Sequence, residues 1–232
     1  MGPAGCRRRH DASRHRPRSP LAVTERDADP PRAWPASQPP AAWPARHPAT
    51  AESSRMATYR FMTTFDVAAS PPRAWEVLGD LATWPEWWRW LVAIELLAEG
   101  DREGIGASYR CRFRTPLGYP VSFDADVVAA TPWQRIDIRA RGDLAGHGRW
   151  QLHPAEGGTR LRYTWVVATT KAWMNVLAPV ARPAFAWNHH VLMRDFAAGF
   201  SARLGTPRPT VATRAVAPHS PELDALTCHG LR

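Results

Sequence analysis

A chain of 232 residues allows one or two domains, and its formal net charge of +9 would suit a polyanion partner if that charge sat on folded sequence. It does not: residues 1–55 carry +5, residues 56–204 only +3 and residues 205–232 +1, and a single lysine, Lys171, stands among 30 basic residues, so no nucleic-acid partner is expected. Three cysteines (Cys6, Cys111, Cys228) without a CxxC pair argue against a disulfide framework and a zinc site and suit a reducing cytoplasm, and no apolar run of 18 residues is present to cross a membrane.

Residues 1–55 hold ten of the 23 prolines, ten arginines against five acidic residues, and no apolar periodicity. Such a segment buries too little apolar area to offset its ordering entropy, so it reads as a disordered Pro/Arg-rich extension. It lacks the apolar run of a secretory signal. Met56 directly precedes the first patterned segment and is the expected physiological start. Patterned sequence occupies residues 56–204, with ten of the twelve tryptophans, enough chain for one hydrophobic core. Residues 205–232, with four prolines and no sustained pattern, read as a flexible tail.

In chain order, Thr58–Val67 alternates Tyr59, Phe61, Thr63, Phe65 and Val67 against Arg60, Met62, Thr64 and Asp66, the mark of a half-buried strand. Ser70-Pro71-Pro72 then predicts a helix start, serine at the cap and proline in the first turn, with Ala74, Val77 and Leu78 facing inward. The stretch Trp84-Pro85-Glu86-Trp87-Trp88-Arg89-Trp90 follows, four tryptophans in seven residues. Six more strands are predicted over Trp90–Leu97, Ala107–Arg114, Val121–Ala130, Arg135–Arg141, Gly148–His153 and Thr159–Ala168, joined by short Gly- or Pro-bearing connections that favour an antiparallel meander. Their outer positions form a lattice of arginine with Asp124, Asp126 and Asp137, which needs no ligand to explain it. The last element is helical: Pro179 and Pro183 predict a short helix from about Lys171 broken before a long one over Ala184–Leu204, where Phe185, His189, Leu192, Phe196 and Gly199 form one stripe. His190 points away from that stripe.

The segments ASPPRAWEVLGDLATWPEW, GDLAGHGRWQL, GGTRLRYTW and KAWMNVLAPVARPAFAWNHHVLMRDF resemble the polyketide cyclase/dehydrase and lipid-transport branch of the START-like (SRPBCC) superfamily over residues 58–204. The resemblance implies an α+β helix-grip fold: a curved seven-stranded antiparallel sheet wrapped around a long C-terminal helix, two short helices after the first strand, and an elongated cavity between sheet and helix. That superfamily mixes enzymes, carriers, sensors and co-chaperones, so fold alone names no chemistry.

In such a cavity the inward residues would include Phe61, Tyr109, Phe113, Phe123, Trp150, Tyr163 and Trp165 from the sheet and Phe185, His189, Leu192 and Phe196 from the helix, with no charge among them. That wall suits a hydrophobic or aromatic ligand, polyketide- or lipid-like, and no cofactor. The alternatives are a polyketide cyclase or aromatase, with His189 or Tyr163 as the candidate catalytic group, and a co-chaperone-like interaction module. Trp84 and Trp87 are placed either at the cavity mouth, where an exposed lip would permit transient membrane contact, or in plain core packing, with Trp88 or Trp90 covering the core edge. His189 is either a ligand-facing hydrogen-bonding group or a core histidine. His147, His153, His189 and His190 show no metal-ligand spacing, so no metal is expected.

Overall fold

The structure, a computed structural model, describes residues 57–218. The expectations for residues 1–55, for a start at Met56 and for the end of the tail lie outside the described residues.

The chain runs β1 (Thr58–Val67), α1 (Pro71–Gly79), a 3-10 turn (Leu81–Thr83), α2 (Trp84–Trp87), β2 (Leu91–Ala98), β3 (Ser108–Arg114), β4 (Pro120–Thr131), β5 (Arg135–Gly142), β6 (Leu144–Ala155), β7 (Gly158–Thr169), α3 (Ala172–Leu204) and β8 (Ala212–Ala215). One antiparallel sheet in the order β2-β3-β4-β5-β6-β7-β1-β8 wraps α3, the helix-grip architecture. It has eight strands, not seven. β8 pairs with β1 from Phe61↔Ala215 to Thr64↔Ala212, inside the stretch expected to be a flexible tail. Four residues are too few to display a period, and the strand is held by its partner: Thr63 and Thr213 share a hydroxyl bond at 3.1 Å, and Val216 buries itself against Met62 on the outer face.

Alternation works as the strand patterns predict, because successive side chains leave a strand on opposite faces. Tyr59, Phe61, Phe65 and Val67 of β1, Tyr109 and Cys111 of β3, and Leu161, Trp165 and Val167 of β7 are buried beneath the sheet. β6 begins four residues earlier than its pattern suggests. Gly146 and Gly148 hide its start, and Gly148 is required there: a Cβ would lie 2.8 Å from the Trp165 ring across the strand pair. The outer lattice forms as expected, with Arg110 on Asp124 (2.9 Å), Arg139 and Arg141 on Asp126 (3.5 and 2.9 Å) and Arg160 on Asp66 (2.8 Å). Asp137 is buried between Arg149 and Arg135, accepting from Arg149 Nη2 at 2.9 Å.

α1 starts at Ser70 as the sequence predicts, yet the serine side chain makes no cap bond. Pro72, at the second helical position, has no amide hydrogen to offer a cap, and the Ala74 amide reaches the Ser70 carbonyl at 2.9 Å. Ala74, Val77 and Leu78 face inward, together with Trp75.

The expected break at Pro179 and Pro183 does not occur: α3 is one helix of 33 residues with both prolines inside it. Tertiary anchoring at its start offsets the missing donors. Asn175 Oδ1 accepts from the Ala57 amide (2.8 Å) and Thr169 Oγ1 (2.6 Å), and its Nδ2 donates to the Thr169 carbonyl (3.0 Å). Met174, Ala178 and Phe185 bury one face of the same segment, so helical geometry is retained across the prolines. Gly205, in the left-handed region at φ 71°, closes the helix.

Candidate ligand-binding site

Between the concave sheet face and α3 lie two adjoining voids. The outer one, of about 120 Å³, is lined by Tyr59, Phe61, Tyr119, Trp165, Phe185, Asn188, His189 and Leu192 among others. The inner one, of about 80 Å³, is lined by Trp84, Tyr109, Cys111, Ile136 and Trp150 among others. Both are bounded by Trp88, Phe113, Phe123, Tyr163 and Met193, which form the partition. Neither wall contains Asp, Glu, Lys or Arg.

The expected site residues therefore divide. Trp165, Phe185, His189 and Leu192 reach the outer void, Trp84, Tyr109 and Trp150 the inner one, and Tyr163 and Phe123 both. Trp87 reaches neither: it packs on Phe196 and Phe200 (ring centroids 5.3 and 6.3 Å) and against Gly199, where any Cβ would strike its carbonyl and indole. Trp84 stacks edge-on to Phe196 at 5.3 Å at the inner end. Of the two placements expected for Trp84 and Trp87, cavity mouth or core packing, the structure has both half-buried against the core, where α2 folds under the C-terminal half of α3 and large rings fill the gap. Of Trp88 and Trp90, either of which was expected to cover the core edge, Trp90 is half-buried against the core, while Trp88 stands between the compartments and donates Nε1 to the Leu192 carbonyl at 3.0 Å.

At the other end an exposed ring covers Tyr119 and Phe185 of the outer void's wall. Trp173, 42% exposed, meets Tyr119 edge-on at 5.2 Å and Phe185 at 6.5 Å, and Leu117 in the β3–β4 turn is exposed beside them. That turn is tied to the helix by the Leu117 amide donating to Asn188 Oδ1 at 3.3 Å. Tyr59, Tyr119 and Asn188 were missed as site residues. Tyr59 was visible in the β1 alternation, whereas Tyr119 sits in a turn, and only the docking of that turn onto α3 brings it to the cavity.

His189 stacks on Phe61 with ring centroids 4.3 Å apart and planes 14° from parallel. Its Nε2 is buried without a hydrogen-bond partner, as is the Tyr59 hydroxyl. A buried polar atom left unpaired costs roughly 1–3 kcal/mol, which a ligand oxygen or a water would recover. Burial, reinforced by the neighbouring His190 charge, lowers the His189 pKa to about 3. Burial likewise raises Tyr119 and Cys111 to about 12, Tyr163 well above the ordinary tyrosine value, and Tyr59 also, against the opposing pull of Arg182. Tyr59, Cys111, Tyr119, Tyr163 and His189 are consequently neutral at pH 7. The site can donate and accept hydrogen bonds, shed water and orient a flat molecule; a histidine with so low a pKa is a poor general base. Among the described residues no three His, Cys, Asp or Glu side chains converge as metal ligands.

The family profile described as "Polyketide cyclase / dehydrase and lipid transport" matches residues 58–204. No curated protein matches the chain. Among solved structures it is similar to a START superfamily protein from Mycobacterium smegmatis (16% identity, 63% of this chain and 97% of that one, TM-score 0.53). A protein from Thermus thermophilus is also similar (18% identity, 64% and 97% covered, TM-score 0.50). So is the di-domain ARO/CYC BexL from the BE-7585A biosynthetic pathway (17% identity, 62% and 49% covered, TM-score 0.52), of which this chain spans about half the length. At these identities the likeness is one of fold.

Proposed function

Since the chain belongs to the polyketide cyclase/dehydrase and lipid-transport family, we propose that it binds an uncharged, flat hydrophobic molecule, polyketide- or lipid-like, between the sheet and α3. One observation carries this reading: an aromatic hollow without a single charge that nevertheless holds two unpaired polar atoms, the Tyr59 hydroxyl and His189 Nε2. Apolar walls supply affinity, and the two polar atoms fix orientation by bonding a carbonyl or hydroxyl. An interior packed solid would instead have favoured an interaction module.

Size sharpens the proposal. A void of about 150 Å³ accommodates a single benzene ring, so the outer void of about 120 Å³ takes at most one ring as it stands. A multi-ring ligand requires the partition to yield and join the two compartments. Met193, unbranched and pliable, is the residue best suited to move.

The second reading, a cyclase or aromatase, is favoured by the same orphan atoms. A neutral His189 donating to a carbonyl would polarise it, and confinement of a folded chain supplies rate by positioning. The test is native mass spectrometry of protein purified from its own host, followed by titration with an uncharged environment-sensitive dye. A co-purifying neutral organic molecule that displaces the dye is the expected result, and Leu192→Trp, which fills the outer void, is expected to weaken dye binding at least tenfold. Undiminished dye binding in a folded L192W protein overturns the cavity reading. For the enzymatic reading, turnover of an identified ligand lost in His189→Ala with binding retained is the expected outcome.

A further inference from the structure

α3 is apolar on two sides over its first half. The inner side carries Met174, Ala178 and Phe185. On the opposite side Trp173, Val176, Leu177, Val180, Ala184 and Trp187 fall, at 100° per residue, within a sector about 100° wide. Val176 and Val180 are 78% and 79% exposed, Trp187 52% and Leu177 45%, and no described element covers them.

We propose that this outward stripe is a docking surface for an anionic lipid bilayer, which brings the Trp173 end of the cavity to the membrane. Its composition is that of an interfacial helix: aliphatic residues between two tryptophans, whose amphipathic rings settle at the headgroup level. From Lys171 to Arg194 there is no Asp or Glu; Lys171 is held by Asp143 (2.9 Å) and Arg182 lies over the Tyr59 ring beside the stripe, so among the described residues the unpaired positive charge of the segment comes from Arg182 and Arg194. The first acidic residue after them, Asp195, is held by Arg89. This charge pattern complements anionic headgroups. It disfavours a second copy of the chain, because this segment offers no carboxylate with which the arginines flanking a partner's face could pair. α3 lies on the bilayer and does not span it, since none of the described helices is long and apolar enough to cross. Trp173 belongs to the stripe and touches Tyr119 and Phe185 of the cavity wall, so a ligand entering beside it would pass from lipid to cavity without crossing water. The docking itself stands without any ligand; only its use as a loading route rests on the proposed function.

The experiment is co-sedimentation of the full chain with unilamellar vesicles of phosphatidylcholine alone or with roughly a third phosphatidylglycerol, at about 0.15 M and about 1 M salt. The wild type is compared with a Val176→Ser, Val180→Ser, Trp187→Gln triple variant, which alters only exposed side chains. Binding to the anionic vesicles that persists in part at high salt and falls at least tenfold in the triple variant is the expected result. Equal binding of both proteins that vanishes at high salt overturns the proposal and assigns adsorption to basic residues elsewhere. Absence of vesicle binding also overturns it, and a concentration-dependent dimer abolished in the variant would then identify a second copy as the occupant. Dye binding in the cavity, measured on the same two proteins, is expected to be equal, so failure of docking and failure of the ligand reading register in different assays.

Discussion

His189 shows how the interior sets the chemistry of a single side chain. Its pKa, about 3 in the folded protein against 6.5 as the ordinary value, is depressed, so the unfolded chain binds the extra proton first. Above pH 6.5 the neutral buried ring costs nothing by this route; as pH falls from 6.5 toward 3, stability drains at roughly 1.4 kcal/mol per pH unit. His153, whose pKa burial also lowers, acts in the same direction. Urea midpoints for wild type and His189→Phe between pH 7 and pH 4 are expected to diverge, with the variant losing less on acidification; parallel curves would contradict a buried neutral imidazole. Asp137 poses the converse case. Asp137→Ala leaves the buried Arg149 and Arg135 without their carboxylate and is expected to destabilise by about 3–5 kcal/mol in chemical denaturation. The arginine and aspartate lattice was legible from alternation; that this one pair is sealed from water was not.

At the level of elements, strands were read within one residue wherever large side chains marked the period, as in β3 and β7. The signal failed where glycine did the packing, at the start of β6, and where four residues were too few to show a period, in β8. α3 failed for another reason. Proline propensity is local, and the Asn175 anchor that holds the first turn comes from β1 and β7, more than a hundred residues away for Ala57. Gly199 tests which force dominates in the helix. Propensity alone predicts that Gly199→Ala stabilises by about 1 kcal/mol. The new Cβ would sit 2.8 Å from the Trp87 ring, and overpacking of that kind costs about 1–3 kcal/mol. A net lowering of the denaturation midpoint is expected, with α2 displaced; a raised midpoint would show that α2 is loosely held.

Across the whole molecule, the same sheet curvature that buries the core also leaves the two voids. Phe196 and Phe200, fully buried, fill the inner end together with Trp84, Trp87 and Trp150. Toward the other end the filling thins to a shell of rings around an uncharged hollow, and Trp173 of the exposed face of α3 touches that shell through Tyr119 and Phe185. The tryptophan-rich segment is visible in the sequence, but whether it forms a mouth or packs on the core is not: Trp84 and Trp87 pack on the core, and the exposed tryptophans among the described residues are Trp173 and Trp187.

The amino-acid order by itself determined the strand faces, the family resemblance, the neutral character of the inner wall and the placement of His189 on it, because period and polarity are properties of neighbouring residues. Tertiary structure alone decided that α3 runs unbroken through two prolines, that an eighth strand joins β1, that Trp88 divides the hollow, and that Tyr59 and His189 are left with unpaired atoms. Each of those depends on contacts between segments far apart in the chain, whose packing and missing partners no local pattern encodes.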